Sequence, residues 1–257
     1  MIYIGTTGWD FKFWKGSFYP EKIDNKLKYY SKISAFTELR STYTRIPSEE
    51  KVLSWFNNSP DNFIFVSRML KDVTHNEDYV VDEEKITAFF DAFKPLAQKH
   101  QMTMVHFPMH FQRNGTTEEF LLAVLDKINE QFDGQILVEA PNRSWQKVDI
   151  RDELSKRSAC LVGNDRRPIP SLMRSKSVYY LRLLGDKRTV PKEKFGKNPL
   201  DRDDDIKYWA EHIQFIDKQT DAVFVTMDNH FSGNAIEDAK LMANWLSKLN
   251  CKSNGFE

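Results

Sequence analysis

Met102-Thr103-Met104-Val105-His106-Phe107 and Gln135-Ile136-Leu137-Val138-Glu139 are two short, mostly apolar runs with an ionisable group near the end of each. Between them Phe120, Leu121, Val124, Leu125 and Ile128 recur at helical spacing, and Thr116 with Glu119 has the spacing of a capping box. Continuous runs of this length suit strands buried on both faces, as in a parallel sheet. The unit therefore reads as strand, amphipathic helix, parallel strand.

Outward from this unit the pattern repeats. Further runs lie at Ile2–Gly5, Phe36–Leu39, Phe63–Ser67, Ala159–Gly163, Val178–Leu183 and Ala222–Thr226. Ser48 is placed to cap a helix carrying Val52, Trp55 and Phe56. Asp82 is placed to cap one carrying Ile86, Phe89, Phe90 and Phe93, with Pro95 kinking or ending it. Two more amphipathic stripes follow, Ile206, Trp209, Ile213, Ile216 and then Ile236, Met242, Leu246. Pro168 and Pro170 leave room for only a short helix in the sixth connection. Eight strands alternating with helices predict a closed parallel (β/α)8 TIM barrel, a single domain over residues 1–250. Residues 251–257 read as a disordered C-terminal tail. An open doubly wound sheet is the alternative. It is disfavoured because Gly5-Thr6-Thr7-Gly8 is not the GxGxxG turn that such sheets use for phosphates.

Composition removes other classes. The 257 residues carry 37 Lys plus Arg and 37 Asp plus Glu, so neither a wholesale basic nucleic-acid binder nor an acidic tail is indicated. Cys160 and Cys251 form no disulfide framework and no zinc-finger spacing. No apolar run reaches the ~18 residues of a membrane span, and no secretory signal pattern opens the chain. A cytoplasmic protein without a membrane partner is expected.

In a barrel of this kind, chemistry sits at the C-terminal ends of the strands. Reading those ends gives Thr6 and Trp9, then Glu38 and Tyr43, Arg68 and His75, His106, Glu139 and Asn142, Asp165, Arg182, and Asn229. The candidate catalytic groups are Glu139 with Glu38 or Asp165, as paired carboxylates of separated acidity, together with His106. Thr6, Trp9, Tyr43, Arg68, His75, Asn142, Arg182 and Asn229 are the candidate ligand-binding set. The plainer alternative for any one of them is pairing or packing across the barrel mouth. Acids and histidines of the right types for a divalent ion are present without diagnostic spacing. No cofactor or structural metal is expected, and a weak exchangeable divalent ion stays compatible. The segments 40–45, 68–75, 140–147, 164–176 and 182–192 hold fourteen Lys or Arg against three acids. Such a basic rim on a neutral chain attracts an anion, either a phosphorylated small molecule or a nucleic-acid backbone.

These residues resemble the YecE-like proteins, a family of unknown function with a TIM-barrel fold. The resemblance rests on Ile4-Gly5-Thr6-Thr7-Gly8-Trp9, Phe18-Tyr19-Pro20, and Glu38 followed by Ser41-Thr42-Tyr43 and Pro47-Ser48. It continues through Thr74-His75, Phe107-Pro108, Glu139 with Ser144-Trp145, Asp165, Arg182-Leu183, and Asn229 followed by Gly233 and Ala235. This chain departs from the family pattern by carrying Arg40, Arg68, His106, Pro141, Asn142, Leu184 and His230 where Asn, Lys, Gln, Arg, His, His and Asp are usual. The resemblance implies the barrel and the position of its pocket. The family has no agreed activity. The function expected from the residues is therefore a hydrolase or isomerase acting on an anionic, phosphate- or sugar-containing ligand. The alternatives are a nucleic-acid-binding or endonuclease-like module and a catalytically degenerate ligand-binding barrel.

Overall fold

A computed structural model describes residues 1–147, 149–166, 178–197 and 199–256. The strands are β1 Ile2–Thr6, β2 Phe36–Leu39, β3 Ile64–Arg68, β4 His100–His106, β5 Gln135–Glu139, β6 Ala159–Leu161, β7 Gly163–Asn164, β8 Val178–Leu183, β9 Ala222–Met227 and β10 Ser253–Asn254. The helices are α1 Lys26–Tyr30, α2 Glu49–Asn57, α3 Lys71–Thr74, α4 Glu83–Phe93, α5 Gly115–Asn129, α6 Ile150–Ser155, α7 Asp203–Asp217 and α8 Ala235–Lys248. All strand pairings are parallel, in the order β6-β5-β4-β3-β2-β1-β9-β8-β7. The two ends of that path, β6 and β7, are one run of chain interrupted only at Val162. The sheet therefore comes round on itself, and the protein is an α/β TIM-like barrel.

Each predicted run is a strand, and Ala159–Gly163 is the one that breaks in two. Ser48 and Asp82 cap α2 and α4 by accepting from the amides of Lys51 and Lys85. The cap of α5 sits earlier than expected. Asn114, in extended backbone, accepts from the Thr117 amide, and the Thr117 hydroxyl accepts from the Asn114 amide. This reciprocal pair, rather than Thr116 with Glu119, starts the helix. Pro168 and Pro170 lie outside the described residues.

The segment 251–256 is not a disordered tail. β2 pairs only with Gly5 and Thr6 of β1, which leaves the edge at Ile2–Tyr3 open, and β10 fills it. Phe256 then donates its amide to the Ile33 carbonyl and buries its ring beside Tyr30, 5% exposed. Open ladder groups and a buried aromatic offset the ordering entropy that a free end would otherwise keep.

Strand residues alternate between two apolar clusters, as the pleat requires. Phe36, Ile64, Val66, Met102, Met104, Leu137, Cys160, Tyr180 and Phe224 pack together inside the barrel. Their neighbours in sequence, such as Phe65, Val105, Ile136, Val138, Leu181 and Val225, pack outward with the helices. The interior is thus filled with side chains at mid-height. Two residues further along the same inward faces, the chemistry changes.

Candidate functional site

Continuing the inward parity from Phe36, Val66, Met104, Leu137 and Tyr180 gives Glu38, Arg68, His106, Glu139 and Arg182. These form a charged layer over the apolar one. Arg182 is its hub. Nε and Nη2 donate to Glu38 Oε1 and Oε2 at 2.9 and 2.8 Å, and Nη1 donates to both oxygens of Glu139 at 2.7 Å. Tyr180 adds a hydroxyl to Glu38 Oε1 at 3.1 Å. Glu38, Glu139 and Arg182 are 0%, 3% and 4% exposed. Burial alone would raise the Glu139 pKa. The Arg182 charge and the hydrogen bond from His106 outweigh burial and hold the carboxyl well below the usual range. The two glutamates in turn hold Arg182 protonated against its own burial.

His106 ends β4 opposite Glu139 in register, and its Nδ1 lies 2.6 Å from Glu139 Oε2. The ring stacks on His75 at 5.8 Å between centroids and meets the edge of Tyr43 at 5.8 Å. His75, which caps the end of α3, places Nε2 3.1 Å from the Tyr43 hydroxyl and Nδ1 2.8 Å from the Thr74 hydroxyl. Burial first, and then the cationic forms of His106 and His110 and the charge of Lys71, push its pKa down to about 4. Tyr43 comes from a short 3-10 turn, Arg40–Tyr43, that follows β2 directly. Thr42 fastens this turn to β3 by donating to the Arg68 carbonyl and accepting from the Arg68 amide.

Arg68 differs from Arg182. Its guanidinium lies over the Tyr43 ring, 4.6 Å from the centroid, and makes no ion pair with any described carboxylate. Its Nε is buried and has no hydrogen-bond partner. Burial and the neighbouring Arg182 charge both lower its pKa, against the attraction of Glu139 and Glu38. It is a cation beside others, with an unfilled donor.

These groups surround a cavity of 780 Å³ at the C-terminal end of the barrel. Tyr43, Arg68, His106, Glu139 and Arg182 line it, with Arg40, Arg166, Lys187 and Arg188 on its basic side and Asp186, Asp228 and His230 among its remaining groups. Arg167, Arg174 and Lys176 of the expected basic rim lie outside the described residues. The loop after β8 is held down by Asp165, whose oxygens accept from the amides of Leu184 and Gly185 at 3.0 and 2.9 Å. Arg166 also donates to the Gly185 carbonyl. Gly185 has φ +60°, and a Cβ there would meet the His230 carbonyl at 2.1 Å. Only glycine lets this loop lie so close to the one after β9.

Several expected site residues stand elsewhere. Thr6 points outward, donates its hydroxyl to the Gly8 carbonyl and lies 2.8 Å from the Tyr30 hydroxyl. Asn229 also points away from the mouth and accepts from the Ala235 amide at the start of α8. Asn142 caps its own loop by accepting from the Ser144 amide. Asp165 is committed to backbone amides as described. Trp9 lines a neighbouring cavity rather than this one, and Glu38 borders that cavity too. His75 is bonded to Tyr43 and does not itself line the cavity. Conversely, Thr7 and Asp228 are inward and bonded to each other at 2.8 Å, and Arg40 reaches Asp228 at 3.5 Å. The signal that finds them is strand parity. Thr7 and Asp228 continue the inward positions; Thr6, Asp165 and Asn229 continue the outward ones. Among the described residues no three His, Cys, Asp or Glu side chains meet in a metal-holding group, and Glu38 and Glu139 clasp an arginine. No described helix is long and apolar enough to cross a membrane.

Fold and mouth together define a TIM-like barrel with a buried carboxylate–arginine–carboxylate layer beneath a basic cavity. The chain belongs to the family described as "Protein of unknown function DUF72", whose pattern matches residues 3–254. It is 24% identical over 269 residues to the UPF0759 protein YunF of Bacillus subtilis strain 168, covering 94% of this chain and 93% of YunF. Among solved structures it is similar to a DUF72 family protein, EF0366, of Enterococcus faecalis V583, with a TM-score of 0.77 at 22% identity, covering 100% and 98% of the two chains. A second is the DUF72 family protein TM1631 of Thermotoga maritima MSB8, with a TM-score of 0.76 at 23% identity over 97% and 99%.

Proposed function

We propose that this protein is an enzyme, a hydrolase or isomerase, that takes a small phosphate- or sugar-phosphate-bearing molecule into the barrel mouth. The observation that carries the reading is Arg68, a cation with a buried, unpaired Nε, at the wall of a cavity that also exposes Arg40, Lys187 and Arg188. A bound anion would supply the counter-charge that the Arg68 guanidinium lacks. Arg182 is not that anchor, because it spends Nε, Nη1 and Nη2 on the two glutamates.

Proton transfer falls to His106. Its Nδ1 is held by Glu139, which fixes the tautomer and leaves Nε2 as the working nitrogen. Glu139, kept ionised by Arg182, is a weak candidate for a proton-transferring acid and a good one for orienting the imidazole and stabilising the imidazolium. The concave mouth suits a small ligand more than a duplex.

Titration of inorganic phosphate, followed by calorimetry and thermal unfolding, tests the reading. Wild type should bind and gain stability. Arg68→Ala should weaken binding by about 1.5–3 kcal/mol, the range for a charge-assisted hydrogen bond, while His106→Gln should leave binding nearly unchanged. No response to phosphate in wild type overturns the reading. Steeply salt-dependent binding of duplex DNA, in place of phosphate, would favour the nucleic-acid alternative.

A further inference from the structure

Beside the mouth lies a second cavity, of 920 Å³, with a different character. Trp9, Phe11, Phe13, Trp55 and Phe195 are its aromatic lining. Arg40 lines both cavities, and the partners of one ion pair divide between them, Arg182 facing the mouth and Glu38 the aromatic space. The two spaces are thus separated at this point by Arg40 and by the Arg182–Glu38 pair.

Arg40 is the less firmly held of these dividers. Its side chain is 36% exposed and its carboxylate contact, Asp228 Oδ2, is 3.5 Å away. That oxygen already accepts from Thr7 at 2.8 Å, and the other oxygen of Asp228 accepts from the His230 amide at 2.9 Å. Asp228 therefore loses little if Arg40 turns to a better anion, whereas Arg182 cannot move without stranding two buried glutamates. Phe11, Phe13 and Trp9 are each only partly buried, although Phe11 packs on Phe13, Phe13 on Phe195 and Trp9 on Trp55. Partly exposed aromatic surface next to a basic cavity is matched by a ligand that carries an aromatic ring and an anion on one short frame.

We infer that the ligand of the mouth is bipartite: an aryl or heteroaryl phosphate ester whose anion sits between Arg68 and Arg40 and whose ring enters the Trp9–Phe13–Phe195 cavity. This rests on the mouth being an anion site and specifies the chemistry attached to the anion.

The test compares inorganic phosphate with phenyl phosphate on the same protein samples by isothermal titration. Phenyl phosphate should bind wild type about tenfold more tightly, the gain expected from seating a few ring atoms. Phe13→Ala should erase most of that ratio and leave phosphate affinity in place. Phosphate affinity measured on the same variant reports whether the mouth is still folded, and Phe11→Ala repeats the test should Phe13→Ala fail to fold. Arg68→Ala should weaken both probes together. Equal affinity for the two probes in wild type, or a ratio unchanged in the Phe13 and Phe11 variants, overturns the bipartite ligand and leaves the anion site standing. Failure of both probes to bind wild type overturns the anion site itself, and the bipartite ligand with it.

Discussion

Tyr180 and Arg182 are two residues apart on the same inward face of β8, and they belong to different layers of one barrel. Around Tyr180 the layer is apolar: Phe36, Val66, Met104, Leu137 and Phe224. Around Arg182 it is Glu38 and Glu139, buried almost as completely, with the partly exposed His106 beside them. The backbone geometry that delivers both layers is the same. What differs is what holds each together. Packing in the lower layer is non-directional, so each side chain contributes through its volume. In the upper layer every buried charge depends on a particular partner at hydrogen-bond distance. Arg68 is the exception there, and the exception marks the mouth.

The contrast can be broken most sharply at its hub. Arg182→Ala should destabilise the fold by about 3–5 kcal/mol, because it leaves two buried carboxylates unpaired. Urea denaturation measures this. Adding Glu38→Gln and Glu139→Gln should recover much of the loss. A cost below about 1 kcal/mol for the single variant would mean that the upper layer is not the interdependent unit described.

The lower layer should respond to volume. Met104→Ala should cost about 3 kcal/mol and Met104→Leu less than about 1.5 kcal/mol, again by denaturation. Phosphate affinity should be unchanged in both. A large effect of Met104→Leu would show that shape rather than volume governs this layer too.

The smallest expected effect is a pH slope at the edge of the upper layer. His75 is neutral in the fold, with a pKa pushed down to about 4, against an ordinary value near 6.5. The unfolded chain therefore binds the extra proton first, and stability falls as pH drops from about 6.5 towards 4. His75→Gln should flatten that part of the stability profile and leave the slope due to His100, whose pKa burial pushes down to about 3. An unchanged profile in the variant would mean that His75 is not held neutral by the mouth.

Much of the barrel was legible in short sequence runs. Gln135–Glu139 and Val178–Leu183 are strands end to end as read, and Ser48 and Asp82 are caps where the spacing put them. Which face points inward was not legible, because the runs are apolar on both; once the structure puts Phe36 and Tyr180 inside, Glu38 and Arg182 must be inside too. Thr6, Asp165 and Asn229 sit at strand ends too, but on the outward parity, and proximity to a strand end alone does not separate the two sets.

The sequence by itself determined the alternation of elements, the charged residue near the end of strand after strand, and the absence of any local phosphate-binding turn, because these depend on neighbours within a few positions. Tertiary structure alone decided that Arg182 clasps Glu38 and Glu139, 144 and 43 residues away in the chain, while Arg68 is left without a carboxylate. It also decided that β10 fills the edge that β2 leaves open on β1. Which cation meets which anion depends on where barrel closure brings the strand ends, and a periodic pattern carries the direction of each side chain but not the partner across the lumen.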